Sequence, residues 1–295
     1  MDLALVVNPR KSSTLRVLER VRACIPPPHR ALLWAPAAAL LRERSDFAHQ
    51  LDGYACIDDV HAADVVLALG GDGTLLSAVR LLGSDLRPLL GINLGSLGFL
   101  TDTPEDQVED SVSRLLAGQY RLDPRMLLEA EHRSGEQHVA TVRALNDVVL
   151  HGPAARVLAV ELRAGGVDLG HTLADGMIVA TPSGSTAYSL SAGGPIVSPR
   201  LRAVILTPIS AHTLSLRPLV LGADEGVEVR LVRAPSDQAD ISVDGHPVWP
   251  MRSGESILVR AAASDLQLVV TQEQSFYRTL CSKLGWGHGR QAPRP

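Results

Sequence analysis

Val65-Val66-Leu67-Ala68-Leu69-Gly70-Gly71-Asp72-Gly73-Thr74 is an apolar run that stops at three glycines. A short run rich in Val and Leu that ends this way reads as a buried strand leaving the edge of a sheet. Beyond it, Leu75, Leu76, Val79 and Leu82 keep the spacing of one helix face. The stretch is therefore strand, glycine turn, helix. Glycines remove the Cβ atoms that would hold a ligand off the backbone, and a helix start offers free N–H groups, which together make a phosphate cradle. Asp72 sits in the middle of it. A carboxylate repels phosphate, so an acid here points to a proton acceptor for an attacking hydroxyl, or to a group that meets phosphates through Mg²⁺. The ordinary alternative is an Asp-Gly turn closing a strand. The full five-residue string between a strand and a helix favours phosphoryl transfer instead.

Two rival phosphate motifs are missing. No Gly-x-x-x-x-Gly-Lys-Ser/Thr string occurs, which excludes a P-loop, and the first strand, Leu3–Val7, runs into Asn8-Pro9-Arg10 without glycines. The dinucleotide fingerprint of dehydrogenases is thus absent from its usual place.

Around this core the first third alternates strand and helix. Leu3–Val7, Ala31–Trp34, Val65–Leu69 and Pro88–Ile92 read as strands. Thr14–Cys24, Ala37–Leu51 and Glu105–Leu116 read as helices, the second opened by Pro36. Such alternation predicts a Rossmann-like α/β domain with a parallel sheet. Asn93-Leu94-Gly95-Ser96-Leu97-Gly98-Phe99-Leu100 is a second glycine turn after a strand. In an open α/β sheet both turns belong to one crevice at the carboxyl ends of the strands. After Gly118 the texture changes to β-rich runs separated by Gly, Pro and Asp turns, among them Val139–Leu150, Val157–Arg163, Met177–Thr181 and Val227–Val232. These predict a mainly antiparallel, β-sandwich-like second domain over 121–270, after an α/β domain over 1–120. Ser275–Leu284 reads as a terminal helix.

Bulk properties narrow the function. At 295 residues and 45% hydrophobic content two cores are affordable, and with 3% aromatics both must be aliphatic. A net charge of −4 argues against general binding to nucleic acid or anionic membranes. Of 28 basic residues only Lys11 and Lys283 are lysines, so cationic contacts to phosphate are expected from arginine. Three cysteines without metal or redox spacing, no signal-peptide pattern and no long apolar stretch predict a soluble cytoplasmic protein.

The second cluster of chemistry is Asp175 to Pro195, DGMIVATPSGSTAYSLSAGGP. A strand ends at Thr181-Pro182, and small hydroxylated residues then open a short helix. Helix capping explains some of these hydroxyls, but their density makes a polar surface suited to ribose, amide and phosphate oxygens. Tyr188 is a candidate for contact with a base, or else a core residue. Asn146, inside an apolar run, needs a hydrogen-bond partner from protein or ligand. Asp244-Gly245 reads as a hairpin turn. No histidine spacing suggests a structural metal.

These motifs together resemble the NAD kinase family. The resemblance covers nearly the whole chain: the Gly-Gly-Asp-Gly-Thr string, the Asn93–Leu100 loop, Ala144-Leu145-Asn146-Asp147, the Asp175–Pro195 run, His212 to Pro218, and Leu280 to Gly287. The first string is shared with lipid kinases; Thr-Pro-Ser-Gly-Ser-Thr-Ala-Tyr is far more specific. The resemblance implies phosphorylation of the 2′-hydroxyl of the adenosine ribose of NAD, with ATP and Mg²⁺ (or polyphosphate) as donor. It makes Asp72 the general base and puts Asp72 and Gly73 in contact with NAD. Around NAD it also places Asn146, Asp147, Arg156, Leu173, Asp175, Thr186, Ala187, Tyr188, Ser189, Leu190, Ser191 and His246. The donor phosphates would lie on Gly70, Gly71, Gly73, Thr74, Asn93 and Gly95. A homodimer or homotetramer is implied, as is a tail, 271–295, that folds back on the first domain. Ala211, Ser77 and Leu173 depart from the common pattern, Leu173 standing where some members are basic.

Two other readings compete. A lipid or sugar kinase would share the glycine string but should lack the Thr181–Ser191 run. A non-catalytic NAD(H)-binding sensor would be expected to have lost the acid of the string, and Asp72 is intact.

Overall fold

The computed structural model describes residues 1–43, 51–95, 98–101, 103–152, 157–213, 215–272 and 275–285. It divides into two compact units. The first comprises 1–123 with 266–295, the second 124–265.

The first unit opens with β1 (Asp2–Val7), α1 (Thr14–Ala23), β2 (Arg30–Trp34), α2 (Ala35–Arg42) and β3 (Ala55–Ile57). β4 (Val65–Gly70), α3 (Asp72–Leu82), β5 (Leu89–Asn93), β6 (Thr103–Pro104), α4 (Val108–Leu116) and β7 (Arg121–Arg125) follow. The helix expected over Ala37–Leu51 is seen as α2, which starts at Ala35 and ends at Arg42 with Glu43 as its C-cap; 44–50 lie outside the described residues. α3 begins at Asp72, which therefore lies in its first turn, where a carboxylate complements the helix dipole.

The second unit carries β8 (Leu128–Ser134), β9 (Gln137–Ala144), β10 (Asp147–His151), β11 (Leu158–Ala164), β12 (Val167–Ala174) and β13 (Gly176–Ala180). After the four-residue α5 (Tyr188–Ser191) come β14 (Ala203–Ile209), β15 (Leu219–Gly222), β16 (Val227–Arg233), β17 (Gln238–Val243), β18 (His246–Arg252) and β19 (Ser256–Ala261). The chain then returns to the first unit as β20 (Leu266–Val270) and α6 (Phe276–Leu284).

The first sheet runs β3-β2-β1-β4-β5-β20-β7, with β6 beside β5. β1 pairs in parallel with both β2 and β4, and β4 in parallel with β5. β1 and β4 are buried along nearly their whole length, as a parallel sheet covered on both faces demands. Strand order reverses between β1 and β4, where Asn8 N–H donates to Leu69 O at 3.0 Å. That reversal is the topological switch point, and the glycine turn after β4 opens there. β20, which composition leaves with the second domain, pairs in parallel with β5. Its apolar residues complete this sheet, and a short buried strand carries no local mark of which sheet it joins. α6 packs Phe276 against Phe99 at 6.2 Å between ring centroids, and Lys283 lies over the same Phe99 ring.

The second unit holds two six-stranded sheets, β15-β14-β13-β10-β17-β18 and β12-β11-β16-β19-β8-β9. Their pairings are antiparallel. One core takes Leu150, Val179, Leu206 and Ile241 from the first of these sheets and Val160, Leu162, Val229 and Ile257 from the second. β8, β11 and β16 alternate buried and half-buried residues, having one packed face. β10, β13 and β14 are buried on both faces, because Val149, Ile178 and Ile205 pack with Val197 in a second small core. The β-rich run Val139–Leu150 falls in two strands, broken at Leu145-Asn146.

Candidate functional site

In the first unit the site is made by the turns after β4 and β5. Thr74 N–H and Leu75 N–H both donate to Gly71 O. This leaves the N–H groups of Asp72 and Gly73 as first-turn donors outside the helix ladder. Gly73 is exposed, with open space where a side chain would stand. Gly70 has no such room: a Cβ there would run into the Thr74 side chain. Thr74 is buried and packs under the turn instead of presenting its hydroxyl outward.

Asp72 reaches across to the second turn. Its Oδ2 accepts Phe99 N–H at 2.9 Å. Its Oδ1 accepts Leu100 N–H at 3.1 Å, Thr101 N–H at 3.0 Å and the Thr101 hydroxyl at 3.0 Å. Gly98 is required there, since a Cβ would overlap the Asp72 carboxylate. Asn93, expected to face donor phosphates, is buried and braces the turn: Oδ1 accepts Gly95 N–H at 2.8 Å and Nδ2 donates to Thr101 Oγ1 at 3.0 Å. Lys11 reaches the second turn, its Nζ 3.1 Å from the Cβ position of Gly95. Composition points to arginine for phosphate contacts; the side chain beside Gly95 is a lysine from the loop after β1.

In the second unit the turn Leu145-Asn146 is locked from two sides. The Asp244 carboxylate accepts three successive backbone N–H groups, from Leu145 at 2.9 Å, Asn146 at 2.7 Å and Asp147 at 3.1 Å. From the other side Thr181 N–H donates to Asn146 O at 2.8 Å, and Thr181 Oγ1 to Leu145 O at 2.6 Å. Thr181 Oγ1 also accepts Gly184 N–H at 2.9 Å, and a Cβ on Gly184 would meet the Asn146 carbonyl. The Asn146 backbone is thus fully spent, while its half-buried side-chain amide has no protein partner among the described residues. Asp244 does sit in a hairpin turn, with φ +49 beside Gly245 at φ +77. An Asp-Gly pair marks the turn in sequence but not the distant N–H groups that its carboxylate accepts.

The hydroxyls of the Asp175–Pro195 run divide into two sets. Ser185 is fully buried, donating to Pro182 O at 2.6 Å and accepting Val197 N–H at 3.0 Å. Ser189 is fully buried against Thr207 Oγ1 at 2.9 Å, so its hydroxyl is spent on the fold and is not available to a substrate. Thr186 Oγ1 donates to Ser183 O at 3.2 Å. None of these hydroxyls caps α5 or the 3-10 turn over Gly184–Thr186. Tyr188 and Ser191 are exposed, Thr186, Ala187 and Leu190 half-buried. Tyr188 is therefore a surface aromatic and not a core residue.

Two neighbouring acids are both raised by burial. Burial, with the like charge of Asp244 beside it, pushes the Asp147 carboxyl up to about 7. Asp244 is also raised by burial, against the opposing pull of its three N–H donors. Asp175 is half-buried and lies 3.9 Å from His212 Nε2. His212 N–H donates to Leu173 O at 2.9 Å, so Leu173, Asp175 and His212 form one corner. A cavity of about 470 Å³ beside it is lined by Thr172, Leu173, Met177, Pro208, His212 and Arg217, and does not include Asn146 or Tyr188. His246 is exposed, its Nδ1 3.3 Å from Asp244 O. Arg156 lies outside the described residues. Among the described residues no cluster of His, Cys, Asp and Glu is arranged to hold a metal ion.

Residues 41–120 match the family model described as ATP-NAD kinase N-terminal domain, and residues 145–271 that of the ATP-NAD kinase C-terminal domain. The chain belongs to the NAD kinase family. It is 45% identical over 226 residues to the NAD kinase of Gemmatimonas aurantiaca, covering 76% of this chain and 78% of that one. The NAD kinase of Geobacter sulfurreducens is 42% identical over 226 residues, covering 76% and 79%. Among solved structures, yeast NADH kinase complexed with NADH matches with a TM-score of 0.89 and 26% identity, covering 100% of this chain and 90% of that one. An NAD kinase from Archaeoglobus fulgidus in complex with ATP shares the fold, with a TM-score of 0.69 at 24% identity over 97% and 99%.

Proposed function

We propose that this NAD kinase family member transfers the γ-phosphoryl of ATP to the 2′-hydroxyl of the adenosine ribose of NAD, giving NADP. The observation that carries the reading is the Gly-Gly-Asp-Gly-Thr string folded as strand, turn and helix at the switch point, with a half-buried carboxylate in it. The first unit supplies the donor phosphate loops, through the Gly71–Gly73 turn, Gly95 and Lys11. Asp72 accepts the ribose proton. MgATP is the substrate, so Mg²⁺ arrives with the nucleotide. Positioning and charge stabilisation carry most of the rate, as in other phosphoryl transfers.

The second unit binds NAD. The unspent amide of Asn146, the carboxyls of Asp147 and Asp175, and the exposed Tyr188 and Ser191 suit ribose hydroxyls, an amide and a base. Thr186, Ala187, Leu190, Leu173, His246 and Arg156 complete this reading. A homodimer or homotetramer fits the exposed apolar residues on two edge strands, Val167, Leu169 and Leu173 on β12 and Leu219 and Val220 on β15. No helix among the described residues is long and apolar enough to cross a membrane, and we place the protein in the cytoplasm.

The test is NADP formation from NAD and MgATP, read by an NADP-specific dehydrogenase, with polyphosphate and NADH as parallel arms. Signal with MgATP that disappears in Asp72→Asn is the expected result. NAD binding without turnover in every arm would favour the sensor reading.

A further inference from the structure

The donors on Asp72 are unevenly shared between its two oxygens. Oδ1 takes three: the N–H groups of Leu100 at 3.1 Å and Thr101 at 3.0 Å, and the Thr101 hydroxyl at 3.0 Å. Oδ2 takes one, Phe99 N–H at 2.9 Å. Each carboxylate oxygen offers about two lone pairs. Oδ1 is therefore saturated, and Oδ2 keeps acceptor capacity.

The Thr101 hydroxyl is held in turn. Asn93 Nδ2 donates to it at 3.0 Å, so the hydroxyl's single proton is directed to Asp72. Thr101 is fully buried and Asn93 nearly so, which leaves water little access to replace either bond. The other end of the Asn93 amide accepts Gly95 N–H at 2.8 Å. One line of hydrogen bonds thus runs from Gly95 through Asn93 and Thr101 to Asp72 and ties the two glycine turns together.

We infer that Thr101 is a positioning residue that reserves Oδ2 of Asp72 as the proton-accepting atom of the transfer. The inference rests on the reading of Asp72 as the base. In the step, the 2′-hydroxyl O–H bond breaks and its proton passes to Oδ2. The freed oxygen pair forms the bond to the γ-phosphorus of ATP, and the bond from that phosphorus to the bridging oxygen breaks, leaving its electron pair on ADP. Thr101 holds Oδ1 so that the carboxylate cannot rotate and present an already saturated oxygen to the ribose.

The experiment compares Thr101→Val, Thr101→Ser and Thr101→Cys in the full chain, measuring kcat and the KM for NAD and MgATP, with Asp72→Asn alongside. Loss of a hydrogen bond to a charged group should lower kcat of T101V by about 30-fold, with both KM values within about twofold of the parent. T101S, which keeps the hydroxyl, should return kcat to within about threefold of the parent. If T101V does not fold, T101C, which like T101S lacks the methyl but is only a weak donor, is read in its place against T101S and should lose at least about tenfold. Parent kcat in the hydroxyl-free variant overturns the inference, as does a rise in KM with kcat unchanged. Equal losses in T101S and T101V also overturn it, because the methyl group would then be what matters. Full turnover in Asp72→Asn removes the base reading and this inference with it. Loss there with parent turnover in T101V removes this inference alone.

Discussion

Asp72 in the first unit and Asp244 in the second are held by the same device and differ in what remains of them. Each carboxylate accepts three successive backbone N–H groups, Asp72 from Phe99, Leu100 and Thr101, Asp244 from Leu145, Asn146 and Asp147. Each so fixes a turn at the end of a strand. Asp72 stands at an open helix start, with an oxygen in reserve. Asp244 lies against a second acid, Asp147, in a buried place where desolvation raises both. On the proposed reading the Asp72 carboxylate serves the chemistry as well as the turn, and that of Asp244 the turn alone.

Asp72→Ala is expected to lose about a thousandfold in kcat, the scale of a lost general base. Its melting temperature should fall as well, because the N–H groups of the buried Leu100 and Thr101 lose their acceptor. Asp244→Ala removes no base and should act through the fold alone. It strands three N–H groups in a place with little water and should cost about 3 kcal/mol in chemical denaturation. A stable Asp244→Ala with wild-type KM for NAD would remove the architectural half of the contrast.

Asp147 sharpens it through pH. In the folded chain this carboxyl keeps its proton up to about 7, whereas an unfolded aspartate loses it near about 4. The folded state therefore binds more protons between those values, and stability is full below about 4 and falls as pH rises through about 7. Asp147→Asn should flatten this slope in thermal melts from pH 4 to pH 8, and should melt above the parent at pH 8 while its KM for NAD rises. The smallest effect is expected from Tyr188→Phe. An exposed hydroxyl contributes little to folding, so denaturation should move by less than about 0.5 kcal/mol. Its KM for NAD should rise a few-fold, and no change would take the hydroxyl out of the NAD contacts.

The glycine turns were legible because they are local. Val65–Leu69 must be a buried strand, and Gly70, Gly71 and Gly73 must turn, whatever surrounds them. The Thr181–Ser191 run was legible as chemistry, but its hydroxyls were not separable by sequence. Ser189 and Ser191 are two residues apart and read alike, yet one is buried against Thr207 and the other faces solvent. Helix phase against a particular sheet decides which is which.

What sequence determined here is whatever lies within a few residues along the chain: the strand–turn–helix around Asp72, the change to β-rich texture after Gly118, and the family strings. Tertiary structure alone decided the pairings across long separations. Asp244 reaches a turn nearly a hundred positions away, Thr101 lies 29 positions from Asp72, and β20 joins β5 across the whole second unit. The physical reason is that a hydrogen bond or a strand pairing between distant residues is selected by how the layers stack and what they bury. No propensity within either segment carries that information.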